Sequence, residues 1–187
     1  MHRFMIYFKN YNHTPEDAYE LLLKARKLVE SIKISIRDLR ISTKHIEIDV
    51  SVPLMSDLEN VKSRLISLGE FIEVDEVCER NLTKENALLL SKELFNGEKY
   101  WSTHEILEGL WKISTGGEKD LLNGIILVAA AMVHFQKNEI GIGISILKRA
   151  MVKLSKSKST YYDFDMDLLK KNITYLINTS RIHIFTI

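Results

Sequence analysis

Residues 121–135 are apolar on nearly every side, interrupted only by Asn123 and His134. A helix of that kind needs protein all around it, because every turn presents apolar surface. It is too short to cross a bilayer, which takes roughly 20 consecutive apolar residues. The chain must therefore supply further helices to enclose it, and the residues from Asn81 onward carry the pattern for them. Apolar residues recur at helical spacing over 83–95, 101–113, 119–135, 139–154 and 165–178, with breaks at Asn96-Gly97, Thr115-Gly116-Gly117, Lys137-Asn138 and the polar run 155–160. The tail, 181–187, is apolar and alternating. Its alternation suits a short strand, docking on the first domain, or a frayed end.

The first 79 residues follow a different rhythm. Phe4, Ile6 and Phe8 alternate with Met5, Tyr7 and Lys9, and Ile46, Ile48, Val50 and Val52 alternate with His45, Glu47, Asp49 and Ser51. Both runs predict half-buried strands. Residues 34–41 and 71–77 also read as strands, the former with a phase change near Asp38-Leu39 that suggests a bulge. Thr14-Pro15-Glu16-Asp17 opens one helix, with Thr14 as its N-cap and Leu21, Leu22, Ala25, Leu28 and Val29 as its apolar stripe. Ser56-Asp57-Leu58-Glu59 has the form of a capping box for a second helix that stops at Gly69. The order β-α-β-β-α-β is the split βαβ pattern of ferredoxin-like domains. The chain thus reads as α+β: residues 1–79 a ferredoxin-like domain, and residues 80–187 an all-α domain of five helices with a central buried one. Such folds host many unrelated functions, so the architecture licenses no activity.

Charge and cysteine content narrow the partners. Lys and Arg number 26 against 25 Asp and Glu, and neither half departs far from neutrality, so no global field draws the chain to nucleic acid or membrane. One cysteine, Cys78, excludes a disulfide scaffold and reads as a small packing residue. With no secretory leader pattern at the start, these features predict a cytoplasmic protein. The outward face of the sheet is expected to carry Arg3, Met5, Tyr7, Lys9, Glu47, Asp49, Glu73 and Asp75, an acidic face with one aromatic. That chemistry disfavours stacking RNA bases and suits a protein contact, either a homo-oligomer or the helical domain. Lys148, Arg149, Lys153, Lys156 and Lys158 form the second candidate surface. Phosphate contact is one reading; a solvated face near a helix C-terminus is the plainer one.

The densest polar chemistry lies in residues 95–111. On a helix, His104, Glu108 and Trp111 share one face, and the next helix carries Asn123, Leu127, Ala130, Ala131 and His134 on one stripe. Antiparallel packing would bring His104, Glu108 and His134 together. The string F-N-G-x-x-Y-W-x-x-H-E-x-L-E-x-x-W, followed by N-G-I-I-x-x-A-A-A-x-x-H, resembles the domain of unknown function 309 family, over residues near 90 to 155. The resemblance implies an all-helical domain with one helix surrounded by the others, motif residues at Asn96, Tyr100, His104, Trp111, Asn123 and His134, and no particular activity. Members usually show Gln-Gly-Leu-Ile-Gln where this chain has Asn123-Gly124-Ile125-Ile126-Leu127. Leu127 in place of the second amide thins the polar stripe.

Two readings of these residues follow. In the first, the H-E-x-L-E-x-x-W motif is a buried polar clasp that fixes helix register in a structural or interaction protein, expected to be a homo-oligomer. In the second, His104, Glu108 and His134 hold Zn²⁺, Fe²⁺ or Mn²⁺ in a hydrolase-type enzyme, with Glu105 and Glu108 as catalytic carboxylates and Glu105 as general base. Glu105 also fits a plainer role, since Ser102-x-x-Glu105 has the form of a capping box, with Trp101 and Ile106 as its staple. A helix starting nearer Asn96 would release it. Among other chemistries, a phosphate-binding glycine loop and a dinucleotide fingerprint are missing from the sequence. What separates the two readings is whether the motif residues converge on a solvent-reachable pocket or a sealed core.

Overall fold

The computed structural model describes residues 1–30 and 33–187 and is mixed α+β, an antiparallel four-stranded sheet with helices preceding a helical part. Two units separate: Met1–Cys78 with Gln136–Asn138, and Glu79–Phe135 with Glu139–Ile187. Among the described residues no helix is long and apolar enough to cross a membrane.

In the first unit the elements run β1 (His2–Lys9), α1 (Ala18–Val29), β2 (Ser35–Ile41), β3 (His45–Val52), α2 (Asp57–Leu65) and β4 (Phe71–Glu76). The strands pair antiparallel in the order β2-β3-β1-β4. Opposite residues Phe4 and Val50, Ile6 and Ile48, and Phe8 and Ile46 put one apolar face of β1 and β3 together. Leu21, Ala25 and Val29 of α1 and Val61 and Leu65 of α2 complete that core. The β2–β3 register shifts between Ile36 and Asp38, where Arg37 is the extra residue.

Helix starts differ in detail from the expected caps. Pro15–Asp17 forms a 3-10 turn, in which the Thr14 amide donates to the Asp17 carboxylate at 2.7 Å, so α1 proper begins at Ala18. That backbone hydrogen bond holds the Asp17 carboxyl below its ordinary range. At α2 the expected capping box does not form. Ser56 is itself helical and makes no side-chain cap, while Asp57 accepts the Leu54 amide at 3.1 Å. Gly69 lies against β1, where an added Cβ would stand 2.8 Å from the Lys9 carbonyl oxygen.

The second face of the sheet is not the open acidic platform the alternation suggested. Met5, Tyr7, Glu47 and Asp49 are 0–2% exposed. The bulge places Asp38 and Arg40 opposite Asp49 and Glu47. The buried Arg40 guanidinium pairs with Glu47 and reaches Asp38 at 3.2 Å, while Arg3 donates twice to Asp49, at 2.9 and 2.6 Å. Burial works against the charge on Arg40, and its carboxylate partners outweigh that and raise its pKa. Cys78, expected as a packing residue, is exposed.

The second unit consists of α3 (Lys84–Asn96), α4 (Tyr100–Ile113), α5 (Gly116–Phe135), α6 (Ile140–Leu154), a small hairpin of β5 (Thr160–Tyr161) and β6 (Phe164–Asp165), and α7 (Met166–Thr179). Helix α5 packs chiefly on α6 and α4, and its buried residues, among them Leu122, Gly124, Ile126, Val128, Ala131 and Met132, cover more than half of its circumference. It starts at Gly116, earlier than the glycine pair suggested, because Gly116 takes the left-handed conformation (φ 60°) at the helix entrance. The tail neither forms a strand nor frays. Phe185 and Ile187 are buried in the helical core, Phe185 lies 5.5 Å from Phe95 between ring centroids, and the Ile187 amide donates to Asn96 Oδ1 at 3.0 Å.

Close approach of α5 and α6 depends on glycine at both ends of their contact. A Cβ on Gly124 would meet Leu154 Cδ2 at 2.5 Å, and one on Gly143 would meet the Phe135 ring at 2.2 Å. Gly124→Ala and Gly143→Ala are therefore expected to lower unfolding free energy by about 1–3 kcal/mol through overpacking. Gly109→Ala, on an open part of α4 where a Cβ meets nothing within 4 Å, should raise it by up to about 1 kcal/mol through helix propensity. Urea unfolding of the three variants checks the opposite signs.

Candidate functional site

Helix α4 divides its residues by face. Tyr100, Thr103, Leu107 and Leu110, spaced i, i+3, i+7 and i+10, are buried. His104, Glu108 and Trp111 form the neighbouring stripe and are half-buried. Starting at Tyr100 with Lys99 at the N-cap, the helix carries Ser102 and Glu105 in its interior, so the Ser102–Glu105 capping box does not form. Glu105 is directed to the imidazole instead. His104 Nδ1 is 3.3 Å from Glu105 Oε1 and 3.8 Å from Glu108 Oε2, and Lys112 Nζ is 3.2 Å from Glu108 Oε1. Side-chain exposures of 29, 42 and 36% for His104, Glu105 and Glu108 place this cluster at the surface. The expected buried clasp is corrected in that respect: the apolar stripe of α4 takes the core side, leaving the polar one outside.

His134 does not join His104 and Glu108. Its Nδ1 lies 2.5 Å from Glu139 Oε2, and the Glu139 amide donates to the His134 carbonyl at 2.9 Å. The turn between them, with Asn138 at φ 61°, folds Glu139 back over the end of α5. Among the described residues, the grouping with metal-ligand chemistry is His104, Glu105 and Glu108, one ligand atom from each lying within 4.8 Å of the others. Of the expected ligand set, His104 and Glu108 fall in this grouping together with Glu105, and His134 does not.

The remaining motif residues make contacts within the helical unit. Asn96 accepts from the tail, and Lys119 Nζ stands 4.4 Å over the Trp111 ring. Asn123 is half-buried on α5. Tyr100 packs edge-on to Phe95 with ring centroids 4.8 Å apart, and its buried hydroxyl has no hydrogen-bond partner. Burial, and then the charge of Glu98, push that phenol upward. Glu98 itself is buried and left-handed (φ 62°) in the α3–α4 turn. Sequence reasoning missed it, because the adjacent Gly97 is the residue that advertises such a turn. The basic residues Lys148, Arg149, Lys153, Lys156 and Lys158 lie along the C-terminal half of α6 or just beyond it, and all are exposed; Lys153 pairs with Asp120 at 2.6 Å. A cleft of about 230 Å³ lies elsewhere, lined by Glu85, Leu89, Lys92, Tyr162, Asp163 and Phe164 among others, and none of His104, Glu105, Glu108 or His134 lines it.

A second polar cluster, also unanticipated, joins distant segments of the helical unit. Lys84 donates to both oxygens of Glu118 at 2.9 Å, and the Tyr161 hydroxyl donates to Oε1 at 2.9 Å. The Lys84 hydrogen bond, followed by that of Tyr161, holds the Glu118 carboxyl below its ordinary range. A lowered folded-state pKa contributes stability above the unfolded value, about 4.3, and that contribution disappears as pH falls through the folded value. The stability gap between wild type and Glu118→Gln should be widest near pH 6–7, at no more than about 1 kcal/mol for a partly exposed pair, and should close below about pH 4. Unfolding measured across that range tests it.

The helical region is also where the chain resembles known proteins. None of the curated proteins matches the chain. The crystal structure of a conserved hypothetical protein from Thermus thermophilus is similar at 26% identity, covering 49% of this chain and 96% of that one, with a TM-score of 0.44. Residues 89–145, which run from α3 through α4 and α5 into α6 and contain His104, Glu105, Glu108 and His134, match the domain of unknown function (DUF309) family.

Proposed function

We propose that this chain is a non-catalytic structural or interaction protein of the cytoplasm, acting as a homo-oligomer and built from a ferredoxin-like domain, residues 1–79, and a five-helix domain, residues 80–187. The carrying observation is the division of the motif: Phe95, Tyr100, Leu107 and Leu110 fill the core, while His104, Glu105 and Glu108 sit half-exposed beside it. A polar stripe set beside a fully committed apolar stripe suits a helix whose main task is packing. The ferredoxin-like assignment is supported by the β-α-β-β-α-β order and the antiparallel arrangement β2-β3-β1-β4. For assembly, Val152, an apolar side chain 74% exposed on α6, is a residue that a contact between copies would cover.

Light scattering of the purified chain tests the reading. The expected result is a mass of at least two chains, reduced to one by Val152→Glu; a monomer at every concentration would overturn it. The division of α4 makes a separate prediction. Leu107→Ala should cost about 2–5 kcal/mol of stability, whereas His104→Ala should cost less than about 1 kcal/mol, as surface ion pairs do. Denaturant midpoints of the two variants decide it.

A further inference from the structure

We propose that His104, Glu105 and Glu108 form a divalent-cation site on the surface of α4, suited to Zn²⁺. This goes beyond the structural reading above and does not depend on it. The donor set is one imidazole and two carboxylates, which suits a borderline ion that accepts nitrogen and oxygen together. Two ligand atoms at about 2.0–2.2 Å from a tetrahedral zinc are roughly 3.3 Å apart. His104 Nδ1 and Glu105 Oε1 already stand at 3.3 Å, and Glu108 Oε2 is 3.8 Å from the same nitrogen. The three ligand atoms all lie within 4.8 Å of one another, a spread that side-chain rotation has to close on the ion.

Helix geometry explains how one element supplies all three. His104 and Glu108 are i and i+4 neighbours on one face. Glu105, one residue on, starts about a quarter-turn away, and its long side chain bends along the helix to reach the imidazole. The partial exposure of the three leaves room for water to complete the shell. His134 is not needed, being engaged by Glu139.

Lys112 provides an internal control. Its ammonium holds the other oxygen of Glu108, at 3.2 Å, so that Oε2 is the oxygen nearer the imidazole. A positive charge at that position opposes a bound cation and competes for the carboxylate.

Calorimetric titration of untagged, metal-stripped full-length protein with zinc chloride near pH 7 tests the proposal. The expected result is one equivalent bound, weakened roughly tenfold or more by His104→Ala and by Glu108→Gln, a loss no smaller than removal of a supporting group alone causes. Lys112→Ala should tighten binding several-fold, and His134→Ala should leave it unchanged. No binding by wild type, or equal binding by wild type and His104→Ala, would overturn it. So would a loss confined to His134→Ala, which would move the ion to the other histidine–glutamate pair.

Discussion

The helical unit is organised by the need to enclose α5. A helix with apolar residues around its whole circumference cannot rest on one neighbour, and α4 and α6 each bring a stripe to cover it. Glycines at 124 and 143 let the α5 and α6 backbones approach where side chains would collide. The tail adds Phe185 and Ile187 to the same core. The polar stripe of α4 is what remains once its apolar stripe is committed inward. The composition of α5 therefore decides where His104, Glu105 and Glu108 are displayed.

Charge is treated differently in the two units. In the sheet unit, Arg40 and Glu47 are both nearly inaccessible and compensate one another, with Asp38 beside them. In the helical unit several ion pairs are peripheral, among them Lys84 with Glu118, Lys153 with Asp120, and Glu108 with Lys112. Buried pairs are expensive to break, because removal of one partner strands the other in a low-dielectric setting. Peripheral pairs contribute little each and can exchange partners, which is what a surface available to ligands requires.

Much of this was legible in the residue pattern. Period and punctuation located the four strands of the sheet and the long helices within a few residues, but not the hairpin β5–β6 inside the part expected to be all-α. The phase change at Asp38-Leu39 marked a real irregularity in register, at Ile36/Asp38. The misses have physical causes. The form Ser-x-x-Glu suggests a cap, but α4 begins before Ser102 and Ser56 is already helical, and nothing local distinguishes these cases. Alternation separates the two faces of β1 and β3 without saying whether the second is buried, so Met5, Tyr7, Glu47 and Asp49 were expected outside. Whether His134 meets α4 depends on helix rotation and on the turn at Asn138, which gives Glu139 first access to it. The Lys84–Glu118–Tyr161 cluster joins residues far apart in sequence, beyond the reach of any spacing rule.

The ion pairs under the sheet also bear on how the strands find one another. If β2 or β3 slid by one residue, the alternation would carry Arg40, Glu47 and Asp49 into the space now held by Ile41, Ile46 and Ile48. Apolar residues alone would resist that slip by losing contact area, whereas charges resist it far more strongly because they would be stranded in oil. The cost of carrying the Arg40–Glu47 charges into that apolar space therefore falls on the misaligned pairings and not on the native one.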